Sequence, residues 1–477
     1  MRGSLPRVIL EDGSTLEYLP DLVGSGAEKE AYFTADRSQV VLFFRNQGAA
    51  ADPHRLARLQ AILGPLNPTL CPATGGHFRE LYCWPTRVVV KPRIGLVVPA
   101  YPRNYYFATG PYRGNTKVGR WFTSPRLSRA LPAAEFGTWD MYLSICIRIA
   151  RAVRRLHSAG LAHSDLSHKN VLVDPSTGSA VVIDIDGLVV PKLYPPLVLG
   201  TKGYIAPEVL ATSRLAMDDP RRRHPSILTD QHALAVLLYE YLLRRHPLAG
   251  KKVHSTSSAE DDDFLAMGSR ALFVEHPSDR TNPSEEPILV SYKAFGPDLA
   301  DLFARAFVTG LHDPERRPAA RDWESALQRA WSSLVSCTNP GCHEPRFVLA
   351  DERRIRCPFC GKAPTGPIVV LDLRSSRRAG EWRPDGKVVG SPKTALYDWH
   401  VLDTVVPGEK ADRTPRATFI AEGGSWFLQN RGLPGLTTGS GQPVPIGSRL
   451  RLDDGIQIRL AGGPNGRVAD VRIMQAA

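Results

Sequence analysis

The sequence predicts a multidomain α+β chain: a small β-rich lobe, a larger helical lobe, a short segment of paired cysteines and a C-terminal all-β sandwich. Three observations carry this expectation. The chain has 477 residues, more than one hydrophobic core organises, so several domains are required. Its texture then changes along its length, from short β-like runs before about residue 100, to helical periodicity from about 136 to 335, to Gly- and Pro-rich strand runs after about 366. Four of its seven cysteines stand in two close pairs between the last two regions.

In the first region "QVVLFF" and "RIGLVVPA" read as strands and "PHRLARLQAIL" as one helix. In "WDMYLSICIRIARAVRRLHSAG" the apolar residues Tyr142, Ile145, Ile149, Val153 and Leu156 recur every three or four positions, which makes one buried helix face, and Gly160 suits the helix end. The longest apolar run, "ALAVLLYEYLL", is too short to span a bilayer and predicts a buried helix. The start, "MRGSLPRVILEDGSTLEYL", meets charge after a few apolar residues, unlike a secretory signal. A cytoplasmic protein without membrane insertion is expected. Cys71, Cys83 and Cys146, scattered among apolar neighbours, are expected to be reduced core thiols. The net charge of +12 favours an acidic partner such as a nucleotide, phosphoprotein, nucleic acid or membrane surface.

The chemistry-bearing signal lies in "LAHSDLSHKNVLV" and "AVVIDIDGLVV". His163, Asp165 and Asn170 fit H-x-D-L-x-x-x-N, and Asp184 follows Asn170 by fourteen residues, between β-branched runs. Such spacing lets one carboxylate orient a hydroxyl while an amide and a second carboxylate hold metal ions against phosphates. With "GTKGYIAPEVL", Asp230 opening a buried helix, and Arg317 in "DPERRPAARDW", the chain resembles the Ser/Thr protein kinases over roughly residues 15–332.

That resemblance implies Asp165 as catalytic base, Asn170 and Asp184 as Mg2+ ligands, Thr201 as the hydroxyl that steadies Asp165, and Arg317 as the partner of Glu208. It implies ATP as phosphoryl donor, with Val98 and Ala100 lining the nucleotide beside a hinge at Pro99. Asp184-Ile185-Asp186 departs from D-F-G by placing Asp186 at the glycine position, where it adds a second carboxylate.

A second departure concerns the phosphate-binding lysine, which kinases carry on the third strand. Here that strand is "QVVLFFRN", and the position falls on Leu42 or, with the register shifted, on Arg45. "GSGAEKEAYF" places Lys29 where the third glycine of the phosphate loop belongs, after Gly24 and Gly26. This resembles the "with no lysine" kinases, which supply the lysine from that neighbourhood. The alternative is a solvated lysine in a remnant loop and a nucleotide-binding scaffold without turnover. The helix after Asp52 has no carboxylate to pair with Lys29, which leaves Gln60 as its hydrogen-bonding substitute.

Cys337-x4-Cys342 and Cys357-x2-Cys360, fourteen residues apart, have the spacing of a tetrahedral Zn2+ site. The adjacent basic run "DERRIRC" lacks interleaved aromatic residues, which argues against a nucleic-acid partner. Beyond it, "SWFLQNRGL" and "VPIGSRLRLDDGIQIRLAG" resemble the second half of a forkhead-associated domain. The expected organisation is a bilobal protein kinase-like domain over 1–332 (N-lobe about 1–100, C-lobe about 101–332), a zinc ribbon over 333–365 and a forkhead-associated-like sandwich over 366–477. This combination resembles the kinase component of the bacterial TerY-phosphorylation triad. It implies a role in stress or defence signalling, a protein substrate, and a von Willebrand A-domain protein and a PPM-type phosphatase as partners.

Overall fold

The computed structural model describes residues 5–25, 28–45, 54–190, 193–194, 198–378 and 381–475, so the expected phosphate-loop residue Gly26 lies outside the described residues. The chain divides into two compact units, one of Met1–Gly137, Arg148–Glu285 and Arg305–Ala320, the other of Thr138–Ile147, Glu286–Ala304 and Arg321–Ala477.

The first unit begins with six antiparallel strands: β1 (Arg7–Leu10), β2 (Thr15–Ser25), β3 (Lys29–Thr34), β4 (Gln39–Phe44), β5 (Arg87–Lys91) and β6 (Gly95–Pro99). They close into a barrel in the order β1-β2-β3-β4-β6-β5. The four residues of β1, too few to show a pattern in the sequence, close the barrel by pairing Leu10 with Val89. Alternation along β4 sends Val41 and Phe43 inward to meet Val8, Leu10, Val89 and Val97. It sends Val40 and Leu42 outward, onto Cys83, Val98, Leu172 and Val181. Helix α1 (Arg55–Leu63) lays Leu59 on Phe44, Val88 and Leu96.

Helix α2 (Trp139–Ser158) follows the spacing read from the sequence, with Tyr142, Ile145, Ile149, Val153 and Leu156 all buried. Next come the hairpin β7 (Val171–Asp174) and β8 (Ser179–Val182), helix α3 (Pro207–Thr212) and helix α4 (Ile227–Leu243). From Thr229 onward α4 is buried on every face, as its unbroken apolar run requires. Among the described residues no helix is long and apolar enough to cross a membrane.

The second unit contains helix α5 (Ala320–Ser332) from Arg321 on, the hairpin β9 (Leu334–Ser336) and β10 (Arg346–Val348), and two further sheets. One sheet joins β11 (Pro367–Arg378), β12 (Glu381–Val389), β16 (Thr437–Thr438), β18 (Gln457–Arg459) and β19 (Val468–Gln475) in the order β12-β11-β19-β18-β16. The other joins β13 (Ala395–Leu396), β14 (Ala417–Glu422), β15 (Ser425–Asn430) and β17 (Arg449–Leu452) in chain order. Val369, Leu371 and Leu373 of β11 enter the core shared by these sheets. Ile368 and Val370, on its opposite face, pack with Phe347, Ile355 and the cysteine segment. The cysteine segment therefore builds its core on the back of β11, because a period of two lets one strand line two cores.

Cys83 and Cys146 are buried, whereas Cys71, expected in a core, is exposed. It follows a 3-10 turn, Pro68–Leu70, whose last residue also projects into solvent.

Candidate active site and cysteine cluster

The hairpin β7–β8 brings two distant sequence positions together. Val171 pairs with Val182, so Asn170 and Ile183 meet at its open end, where the Ile183 amide donates to the Asn170 carbonyl at 3.0 Å. Asp184 follows in the left-handed region, at φ 63°. On the other side of Asn170, its side-chain amide donates to the Asp165 carbonyl at 2.8 Å and to Asp165 Oδ2 at 3.0 Å. Thr201 Oγ1 donates to Asp165 Oδ1 at 2.8 Å, and Ser167 Oγ lies 3.2 Å from Thr201 Oγ1. Both oxygens of Asp165 thus have fixed donors, while the residue remains half-buried.

The loop holding Asp165 is itself braced. Ser164 is left-handed at φ 68°, a conformation that costs a β-carbon-bearing residue about 1–3 kcal/mol. Buried Asp230, in the first turn of α4, offsets this by accepting the amides of His163 at 2.6 Å and Ser164 at 3.0 Å. Arg317 makes a two-pronged pair with Glu208, with both bonds at 2.8 Å, as the resemblance implied.

Lys29 opens β3 opposite Phe44 at the end of β4. Its Nζ lies 2.5 Å from Asp184 Oδ1, 2.7 Å from Asp186 Oδ1 and 5.7 Å from the centre of the Phe44 ring. Burial opposes the charge on Lys29, but the carboxylates of Asp186 and Asp184 outweigh it and hold its pKa above the usual lysine range. Partial desolvation would raise the Asp184 pKa, although its side chain is partly open to solvent; the Lys29 ammonium reverses this and lowers it. The expected substitute Gln60 does not reach Lys29. Its amide is hydrogen-bonded to Glu11, which follows directly on the extra strand β1.

Leu42 and Val98 share one apolar cluster with Leu172, and the Ala100 amide is tied to the Ser38 carbonyl at 3.0 Å. Gly24 pairs with Ala31 in the β2–β3 hairpin. The arrangement offers an apolar wall for a flat base, one ammonium for phosphate and an amide–carboxylate oxygen set suited to a hard cation. Spacing marks Asp165, Asn170 and Asp184 in the sequence; the pairing of Lys29 with Asp186 carries no local pattern. Lys29 and Asp186, each standing in place of a glycine, were its two traces in the sequence.

Below the loop, the Tyr204 hydroxyl is hydrogen-bonded to Glu240 and, at 2.6 Å, to Nδ1 of His168. Burial pushes the Glu240 carboxyl up to about 8 and the His168 imidazole down to about 4. Both are therefore neutral at pH 7.

In the second unit Cys337, Cys342, Cys357 and Cys360 present sulfurs all within 4.8 Å of one another. The Cys337–Cys360 and Cys342–Cys357 sulfurs lie 3.8 and 3.9 Å apart. Four thiolates around a tetrahedral ion at about 2.3 Å stand about 3.8 Å from each other, so the four residues fit a bound metal. His343 is not part of the cluster.

Residues 126–331 match the protein kinase domain family; the match begins after the barrel and Lys29. The chain is similar to the serine/threonine-protein kinase RAD53 of Saccharomyces cerevisiae, 27% identical over 203 residues that cover 41% of this chain and 21% of that protein. It is also similar to the serine/threonine-protein kinase PknD of Chlamydia felis, 32% identical over 154 residues, 27% of this chain and 15% of that one. The chain thus spans no more than 21% of either relative's length. A solved structure of the Toxoplasma gondii specific rhoptry antigen kinase domain is 15% identical at a TM-score of 0.41, covering 69% of this chain and 87% of that one. The chain carries a protein kinase domain over residues 126–331.

Proposed function

We propose that this chain is an ATP- and Mg2+-dependent serine/threonine protein kinase whose phosphate-binding lysine has moved from the third strand to Lys29. One observation carries the reading: Lys29, Asp184 and Asp186 converge within 2.7 Å, on the same hairpin end that holds Asn170 against Asp165. Asp165, its carboxylate fixed by Thr201 and Asn170, orients the substrate hydroxyl and receives its proton. Asn170 and Asp184 would hold Mg2+, which supplies charge neutralisation at the phosphates. Lys29 binds phosphate oxygens, Leu42 and Val98 pack the base, and Gly24 on β2 and Ala100 directly after β6 flank the nucleotide. The cysteine cluster would hold Zn2+ in a structural role.

By resemblance to the TerY-phosphorylation triad, the kinase acts in bacterial stress or defence signalling, beside a von Willebrand A-domain protein and a PPM-type phosphatase. The test is transfer of labelled γ-phosphate to the chain itself and to a generic protein. Wild type and Leu42→Ala should transfer; Lys29→Met and Asp165→Asn, shown folded by circular dichroism, should fall by at least about 100-fold. A second reading, a nucleotide-binding scaffold, is favoured by one observation: α1 offers Lys29 no carboxylate. ATP binding with no transfer by wild type would establish it.

A further inference from the structure

Two departures from the kinase pattern meet in space. A lysine stands where a phosphate-loop glycine is expected, an aspartate stands where D-F-G has glycine, and Lys29 Nζ lies 2.7 Å from Asp186 Oδ1. We propose that Asp186 is the positioning residue for Lys29, a permanent anionic partner that holds the ammonium over the site while Asp184 is given up to the metal. This rests on the kinase reading above.

The two carboxylates differ in what surrounds them. The Asp186 side chain is 9% exposed and that of Asp184 is 44% exposed. A buried carboxylate needs a fixed countercharge, because removing either member of a buried pair leaves an uncompensated charge. Asp186 is therefore committed to the lysine, and the exposed Asp184 is free to exchange partners. The lysine is equally constrained: it is 14% exposed, anchored by β3–β4 pairing, and α1 directs no carboxylate toward it. An ammonium has three N–H donors. Two are used on Asp184 and Asp186; once a metal takes Asp184, two are available to phosphate oxygens. In this chain Asp186 does for Lys29 what a helix glutamate does for a third-strand lysine.

The experiment is a cycle of four full-length proteins: wild type, Lys29→Met, Asp186→Asn and the double variant. Without nucleotide or metal, Asp186→Asn should lower the melting temperature of wild type. It should raise that of the Lys29→Met chain, where it removes a carboxylate that has lost its countercharge. In EDTA, Asp186→Asn should weaken ATP binding by about tenfold in the wild-type background and leave it unchanged in the Lys29→Met background. The same loss of ATP affinity in both backgrounds overturns the positioning role, and a Mg2+ requirement raised equally in both overturns it by making Asp186 a metal ligand. ATP binding with strictly additive melting shifts overturns the pairing alone. The sign reversal without ATP binding by any of the four overturns the positioning role together with the kinase reading.

Discussion

At the scale of single residues, buried Glu240 makes a quantitative claim. Its carboxyl has an ordinary value of 4.5 and is pushed up to about 8 by burial, despite its bond to Tyr204. The folded chain therefore holds a proton that the unfolded chain releases above about pH 4.5. Stability from this group is complete below that pH, falls by about 1.4 kcal/mol per pH unit through the interval, and is lost above about pH 8. Glu240→Gln keeps a neutral hydrogen-bonding partner for Tyr204 and cannot ionise. The stability of wild type minus that of Glu240→Gln, from denaturant melts at a series of pH values, should decline between pH 5 and 8 and then level off; a flat difference refutes the neutral carboxyl. Nothing local in "LLYEYLL" signals this, since the shift arises from complete enclosure of α4 by residues remote in sequence. Asn170 and Asp184 were legible because a hairpin register converts their spacing into proximity, and Asp165 because the Asn170 side chain reaches back five residues to it. Asp186 was legible only as an oddity, because its partner Lys29 lies 157 positions away.

At the scale of elements, helix periodicity was read correctly for α2, whereas β1 and the double role of β11 were not, because four residues and a strand with two apolar faces give no distinctive period. The first turn of α2 carries a further determinant. Within the second unit, Asp140 forms a buried ion pair with Arg346 of β10 at 2.5 Å, and the Arg346 guanidinium stacks 5.0 Å from the Trp331 ring. Glu344 accepts the Trp139 amide at 2.5 Å, and Phe359, between two of the cysteines, packs 5.5 Å from Trp139. Arg346→Met strands the Asp140 carboxylate and should cost about 3–5 kcal/mol, read as a lower urea midpoint. Adding Asp140→Leu should recover most of that loss, since an apolar pair of similar volume needs no countercharge. A single variant as stable as wild type would show that the pair contributes nothing net.

At the scale of the whole molecule, the order of textures in the sequence matches the order of elements, but the sequence marks a boundary near residue 332 where the cysteines begin, and the contacts do not break there. The second unit gathers Thr138–Ile147, Glu286–Ala304 and Arg321–Ala477. Trp139 packs 4.8 Å from Phe295 and 5.5 Å from Phe359, which lies beyond that boundary. Composition marks where residue types change, and cannot show that an aromatic of one segment is covered by another. A chain ending at Ser332 would leave Trp139 without Phe359, Asp140 without Arg346 and the Trp331 ring without its guanidinium cover. Each aromatic so uncovered forfeits part of the about 1.5–3 kcal/mol that full burial of such a side chain contributes, and the stranded carboxylate adds to that, against a typical total stability of only about 5–15 kcal/mol. Residues 1–332 expressed alone should therefore melt well below the full chain or aggregate, whereas treating the full chain with a chelator, to strip the metal that the four cysteines would hold, should produce a smaller loss in the same direction. Calorimetry with size-exclusion chromatography decides the matter. A monomeric 1–332 fragment melting with the full chain would mean that the kinase domain is complete without the cysteine cluster and the sandwich.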